Sequence, residues 1–576
     1  MDQRFFLCRT LAEQSSENRT PQSAQALLEH PEMNRCLQEG LIDIQSGLPV
    51  LTPRGKEFLA PYQVKNAIIL AAGFGSRFVP LTFHTPKGLL PIRGERMIER
   101  QIKQLKANGI HNITVVVGYL RETFSFLEKE YGVKLVYNPE YAVKNNLATL
   151  YLVREELDNT YILSSDNWLS ENMFHPYEPH SWYSSVFMKG ETSEWCLETQ
   201  GEDHRITGVT VGGKDAWVMY GPVYFSSAFS KAFVPMLEQA YAQPGSENNY
   251  WENVLAEHLE ELPMYRNAQP DGQVYELENL EELREFDPVY RTCSQDHTMA
   301  FLSETLSVPE GEIHPVKCLS SGRMDHAFLF TARTKQLVYR CRKGAFAQTQ
   351  VLPQIGSNHF PLFPWIGMQC RDNQTEEIYP VLTPAPLPNT PEQCKTLFSV
   401  LKTIHSFENL TQPVSLKTWL EPLWNALDHP QTLSFIQPYV SEVERLARWI
   451  SSLSVPKIPV HGSFEPRFFY QDDQQNLVLD QWIYAGLGDP FLDLAAFAAG
   501  AQWEEAQTLQ WLSLYLQREP SQEECLRMAA WGVLYSFRRL LEETYRNTVS
   551  EETNTNASDY ESSLCHFLTM AQSFSH

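Results

Sequence analysis

The chain has 576 residues, 43% of them hydrophobic and 12% aromatic, with a formal net charge of −24. That length and content suit three or four globular domains, and so acidic a body excludes nucleic acid or an anionic membrane surface as the main partner. The ten cysteines form no Cys-x-x-Cys pair, Met1-Asp2-Gln3-Arg4 opens no apolar signal segment, and no run has the length of a membrane span; zinc, a disulfide framework and membrane insertion are not indicated, and a cytoplasmic protein is expected.

In chain order, Arg4–Glu13, Gln22–Glu29 and Pro31–Leu41 carry helical spacing of apolar residues. Asp43–Thr52 then alternates around Ser46-Gly47 like a two-stranded wing. Residues 1–62 thus resemble a winged helix. They hold six Lys and Arg against eight Asp and Glu, without the basic footprint of a helix that reads a DNA groove. A docking or regulatory role is expected for them.

Residues 63–290 alternate strand and helix. Ala67–Ala71, Ile113–Val117, Lys134–Tyr137 and Tyr161–Ser164 read as strands, and Met97–Asn108 and Arg121–Tyr131 as helices. Such alternation predicts right-handed crossovers in a doubly wound α/β sheet, with ligands beyond the carboxyl ends of the strands. The run Leu70-Ala71-Ala72-Gly73-Phe74-Gly75-Ser76-Arg77 leaves the first strand there, and Pro86-Lys87 follows. Gly73 and Gly75 let backbone N–H groups come close to phosphate oxygens, while Arg77 and Lys87 supply positive charge. Neither the dinucleotide fingerprint nor the P-loop fits, since position 78 is Phe and no Gly-Lys-Ser/Thr follows. Asp166 ends the apolar strand, where a carboxylate suits Mg²⁺ held against phosphates. Within Tyr275-Glu276-Leu277-Glu278, alternation puts both glutamates on one face, and either is a second candidate ligand.

Together with Gly118-Tyr119, Asn138-Pro139-Glu140-Tyr141, Asn145-Asn146, Ser164-Ser165-Asp166, Glu194-Trp195 and Tyr250-Trp251-Glu252, these pieces make residues 65–287 resemble the bacterial CTP:phosphocholine cytidylyltransferases. The resemblance implies a Rossmann-like nucleotidyltransferase that joins CMP from CTP to phosphocholine and releases pyrophosphate. It implies that the loop from Leu70 to Arg77, with Lys87, holds the triphosphate, and that Asp166 with Glu278 holds Mg²⁺; many relatives have aspartate at the second position. Lys87, Arg77 and Asp166 would be catalytic. A quaternary ammonium needs an aromatic, acidic pocket, for which Trp195, Trp217, Tyr250 and Trp251 are candidates, with Glu252 as countercharge. Phosphoethanolamine and 2-aminoethylphosphonate stay open as acceptors, as does a non-catalytic ligand-sensing regulator. The oligomeric state is open too, a homo-oligomer included.

Residues 295–576 read as a β lobe, the proline-rich connector Thr383-Pro384-Ala385-Pro386-Leu387-Pro388, and a mostly helical remainder. Thr548–Asp559, polar and acidic, reads as a loose surface connection. This half resembles choline kinases and aminoglycoside-type phosphotransferases, an α+β fold, but departs where their chemistry sits. In His461-Gly462-Ser463-Phe464-Glu465-Pro466-Arg467-Phe468, Ser463 and Phe468 replace the base-position aspartate and the metal-binding asparagine. Gln481 replaces the second metal aspartate, with Asp480 one residue early, and the nucleotide loop reads Gly322-Arg323-Met324-Asp325. Arg340 and the run Gly488-Asp489-Pro490 with Asp493 persist. A kinase needs its base and its metal ligands together, so a pseudokinase is expected.

Overall fold

Six consecutive buried residues, Asn66–Ala71, form the central strand of a seven-stranded sheet. In the computed structural model, which describes residues 2–13, 21–322, 325–343, 363–371, 374–387, 389–408, 410, 413–414, 430–550 and 556–575, the chain divides into two compact units, Met1–Tyr290 and Arg291–His576.

In the first unit, Asn66–Ala71 pairs in parallel with Ile113–Val117 on one side and with Thr160–Ser164 on the other. Lys134–Tyr137 extends the first side, also in parallel. Chain order therefore reverses at the central strand, and the crevice this opens lies at its carboxyl end. The long hairpin Trp182–Gln200 with Arg205–Phe225 and the short strand Tyr265–Ala268 complete the sheet. Alternate residues feed two cores: Ile69, Val115 and Leu163 face one, while Ile68, Val116 and Ile162 face the other. Apolar packing on both faces is why these strands read as unbroken hydrophobic runs.

Residues 1–62 contain the three expected helices, Gln3–Glu13, Pro21–Leu28 and Met33–Gln38, and the hairpin Ile42–Gln45 with Leu48–Leu51. Ser46 and Gly47 both have positive φ, as a two-residue hairpin turn requires. A fourth helix, Pro53–Leu59, was not expected, although Thr52 caps Gly55 N and Pro53 opens the first turn. Full-length protein is expected to show no salt-sensitive binding to duplex DNA by fluorescence anisotropy at physiological ionic strength. Tight binding lost on truncating residues 1–62 would contradict that.

The second unit begins with the helix His297–Leu306 and a five-stranded antiparallel sheet of Ile313–Ser321, Asp325–Ala332, Lys335–Lys343, Gln374–Pro380 and Gly367–Arg371, in that order. Thr383–Pro384, within the connector, pairs with Tyr470 and Gln471. A helical core follows, built on Phe491–Gly500 and Gln522–Ser550. Sheet followed by helical lobe is the order expected of this half. Of Thr548–Asp559, expected to be a loose connection, 548–550 end one helix and 556–559 begin the next, Asn556–Phe574. Residues 551–555, Pro388, Arg323 and Met324 lie outside the described residues. Among those described, no helix is long and apolar enough to cross a membrane.

Candidate active site

The crevice is a cleft of about 560 Å³, walled by the loop from Leu70 to Phe78, by Lys87 and by Ser164–Asp166. The central strand delivers Leu70 and Ala71 to its floor, and the chain then turns through Gly75 at φ 71. A Cβ on Gly75 would also crowd Lys87 and Thr82 at 3.3 Å, so conformation and space both call for glycine. At Gly73 a Cβ would meet only open cleft, the volume a phosphate needs.

Two ion pairs cross the cleft. Lys87 Nζ donates to Asp166 Oδ2 at 2.7 Å, and Arg77 Nη1 donates to Glu278 Oε2 at 2.6 Å. The sequence places these partners 79 and 201 residues apart; the fold brings all four together. Asp166 Oδ1 is buried and has no hydrogen-bond partner, and such an orphaned carboxylate oxygen beside a phosphate loop fits a hard cation. Among the described residues no three His, Cys, Asp or Glu side chains cluster as a metal cage. Glu276 stands behind Asp166. Burial and the negative charge of Asp166 push its carboxyl up to about 8.

The aromatic candidates separate. Tyr250 lines the cleft, and Trp195 meets its ring edge-on at 6.3 Å between centroids. Beside them, burial and the charge of Glu278 push the Glu194 carboxyl up. Trp251 and Trp217 are corrections. Trp251 is 2% exposed and packs among Tyr183, Phe225 and Phe233, because the helix Trp251–Glu257 turns that position into the core. Trp217 packs on Phe187 and lies under the Arg266 guanidinium at 4.4 Å, outside the cleft lining. Lys144 was missed. It lines the cleft and holds Glu140 at 2.8 Å, and its only signal was its place between two quoted motifs.

Glu252 accepts from Asn146 Nδ2 at 3.2 Å and from the Tyr183 hydroxyl at 3.5 Å. Burial pushes it from an ordinary value of 4.5 up to about 7. The unfolded chain ionises first, so this carboxyl costs stability progressively as pH rises between those two values. Glu252→Gln is therefore expected to melt a few degrees above the parent at about pH 8 and level with it at about pH 4. Thermal melts at both pH values check this, and an equal shift at both would contradict it.

In the second unit the expected kinase positions are filled from within. Arg538 Nη2 donates to Ser463 Oγ at 2.9 Å. Glu465 is fully buried, accepting from the Tyr535 and Tyr560 hydroxyls with Arg539 Nε at 3.3 Å. Arg340 clasps Asp480 through Nη1 at 2.6 Å and Nη2 at 3.0 Å, and Arg342 adds Nη2 at 3.3 Å. Gln481 Oε1 accepts from Arg342 Nη1 at 3.0 Å. Phe468, also buried, offers no ligand atom.

Residues 67–169 match the family model of the MobA-like NTP transferase domain. The choline-phosphate cytidylyltransferase of Streptococcus pneumoniae is 36% identical over 226 residues, which are 39% of this chain and 98% of that protein. The 2-aminoethylphosphonate cytidylyltransferase of Lancefieldella rimae is 37% identical over 229 residues, 39% of this chain and 93% of that one. The solved structure of choline kinase from Streptococcus pneumoniae aligns with 48% of this chain and all of its own at 16% identity and a TM-score of 0.36. Through its glycine-loop region, the chain belongs to the nucleotidyltransferase family of the choline-phosphate cytidylyltransferases.

Proposed function

We propose that the chain joins CMP from CTP to phosphocholine, giving CDP-choline and pyrophosphate. The observation that carries this is the cleft at the sheet's switch point, where the glycine loop, Lys87 and Asp166 converge. Backbone N–H groups of the loop, with Arg77 and Lys87, hold the triphosphate and orient its α-phosphorus toward the acceptor. An oxygen of the phosphocholine phosphate attacks that phosphorus in line, the bond to the bridging oxygen of the β-phosphate breaks, and the electron pair leaves with pyrophosphate. The nucleophile is already an anion, so no general base is required. Lys87 meets the charge that grows on the phosphoryl oxygens. Asp166 and Glu278 would hold Mg²⁺, which when bound supplies Lewis-acid neutralisation of the phosphates.

Tyr250 and Trp195 offer ring faces to a trimethylammonium, whose positive charge would favour the ionised forms of Glu194 and Glu252 against the burial that pushes both carboxyls up. The same two carboxylates support a second reading, a primary ammonium acceptor such as 2-aminoethylphosphonate. Competition decides between them: kcat/KM is expected to be highest for phosphocholine among phosphocholine, phosphoethanolamine and 2-aminoethylphosphonate. A reversed order gives the second reading.

The kinase-like half is read as a pseudokinase. Ser463, Phe468 and Gln481 stand at the base and metal positions, and the displaced acids Glu465 and Asp480 are consumed by internal partners. No choline- or ethanolamine-dependent ATP consumption is expected, nor its rescue by Ser463→Asp, because the metal stays unheld. Consumption that survives Asp166→Ala and vanishes on mutating Glu465 or Asp480 would overturn this.

A further inference from the structure

A second cavity, also about 560 Å³, opens in the first unit where the helix Gln3–Glu13 meets the transferase sheet. Its size is that of a small-molecule site. Phe6 and Arg9 come from the helix, and Glu178, Trp182, Arg266 and Gln273 from the transferase. It lies by the starts of strands whose far ends form the catalytic cleft, since Trp182 pairs with Tyr224 and Tyr224 with Tyr161, at the beginning of Thr160–Ser164.

The cavity holds two under-used cations. Arg266 makes no side-chain ion pair among the described residues, and its Nε is buried without a hydrogen-bond partner. The guanidinium lies against Trp217, and with no acceptor on Nη1 or Nη2 among the described residues, those two nitrogens are the donors left for an anion. Arg9 reaches Glu13 and Glu178 only at 3.7 Å each, beyond hydrogen-bond length. Burial pushes the Glu178 carboxyl up and holds His180 down at about 4, so the first is driven toward its neutral form and the second is neutral at pH 7. Glu171, Glu202 and Asp203 also line the cavity, but from exposed positions where water and salt screen them. Phe6 and Trp182 add apolar wall.

The cavity is wired to the catalytic carboxylates by a short ribbon. Asn167–Leu169 pairs antiparallel with Val274–Glu276, in the register Asn167 to Glu276, Trp168 to Tyr275 and Leu169 to Val274. One end of this ribbon carries Asp166 and leads to Glu278. The other carries Glu171 and Gln273 of the cavity, tied by Gln273 Nε2 donating to Glu171 O at 2.7 Å. Three paired positions span about 10 Å, so a shift at Gln273 has a rigid route to both cleft carboxylates.

We propose that this cavity is a second binding site for a phosphomonoester with an apolar body, its phosphate on Arg266 and Arg9, and that occupancy changes turnover in the cleft. The regulatory half rests on the transferase reading above; the binding half does not. The probe is phenyl phosphate, titrated calorimetrically into the full-length chain. One binding event is expected, retained in Lys87→Ala and weakened at least about tenfold in Arg266→Gln. Arg9→Gln should weaken it in the same direction, and serves if Arg266→Gln does not fold. No binding to the parent, loss in Lys87→Ala, or full affinity in both arginine variants overturns the site. Saturating phenyl phosphate is expected to change kcat of the parent at least about twofold and that of Arg266→Gln not at all; binding without any change in rate overturns the regulation. A parent that binds the probe but turns over no acceptor refutes the transferase reading and leaves the site standing.

Discussion

Asp166→Ala is expected to lower kcat for nucleotidyl transfer at least about 100-fold while leaving the fold intact. Among the described residues of the cleft, Asp166 alone has both a cationic partner, Lys87 at 2.7 Å, and a buried oxygen left unsatisfied. Removing it takes away the metal-facing oxygen and frees the Lys87 ammonium to drift from the phosphate line. Both losses act on the transition state, where charge accumulates, more than on substrate binding, so kcat should fall with KM changed far less. Stability should change little, because the aspartate sits at a strand end open to the cleft and not within either core. Steady-state kinetics with circular dichroism check this. Near-normal kcat would show that the metal and phosphate assignments are wrong, whatever reaction the chain performs.

The largest stability effect is expected at Asp480, in the other unit. Asp480→Ala should destabilise that unit by about 3–5 kcal/mol. The aspartate is 2% exposed and answers two guanidiniums, and their charge holds its carboxyl well below the usual range despite the opposing cost of burial. Without it, Glu377 is the one carboxylate left within ion-pair distance of Arg340 and Arg342 among the described residues, and a buried positive charge loses its closest partner. The same linkage gives the pH dependence: a depressed carboxylate stabilises above its unfolded pKa, and the contribution is lost as pH falls through the folded one. Denaturant unfolding with a probe in the helical lobe measures the loss. Less than about 1 kcal/mol would mean that the aspartate is a spare ligand and not a structural one.

Much of the transferase half was legible because its strands are buried on both faces and spell themselves out as apolar runs, with Gly73 and Gly75 marking the turn that follows. Adjacent aromatics were not. Tyr250 and Trp251 are neighbours in sequence, yet a helix start sends one to the cleft and the other to the core, and composition is blind to that rotation. The partners of the buried polar groups in the second unit were also hidden, since Arg538 lies 75 residues from the Ser463 it engages. Long-range partners of buried charges carry no local pattern.

The central claim meets its most direct test in one reaction: full-length protein, CTP, phosphocholine and Mg²⁺, with pyrophosphate release followed and the nucleotide product identified by mass. The account predicts CDP-choline and pyrophosphate in equal amounts, dependent on Asp166. Absence of any CDP-linked product with phosphocholine, phosphoethanolamine and 2-aminoethylphosphonate alike would contradict it.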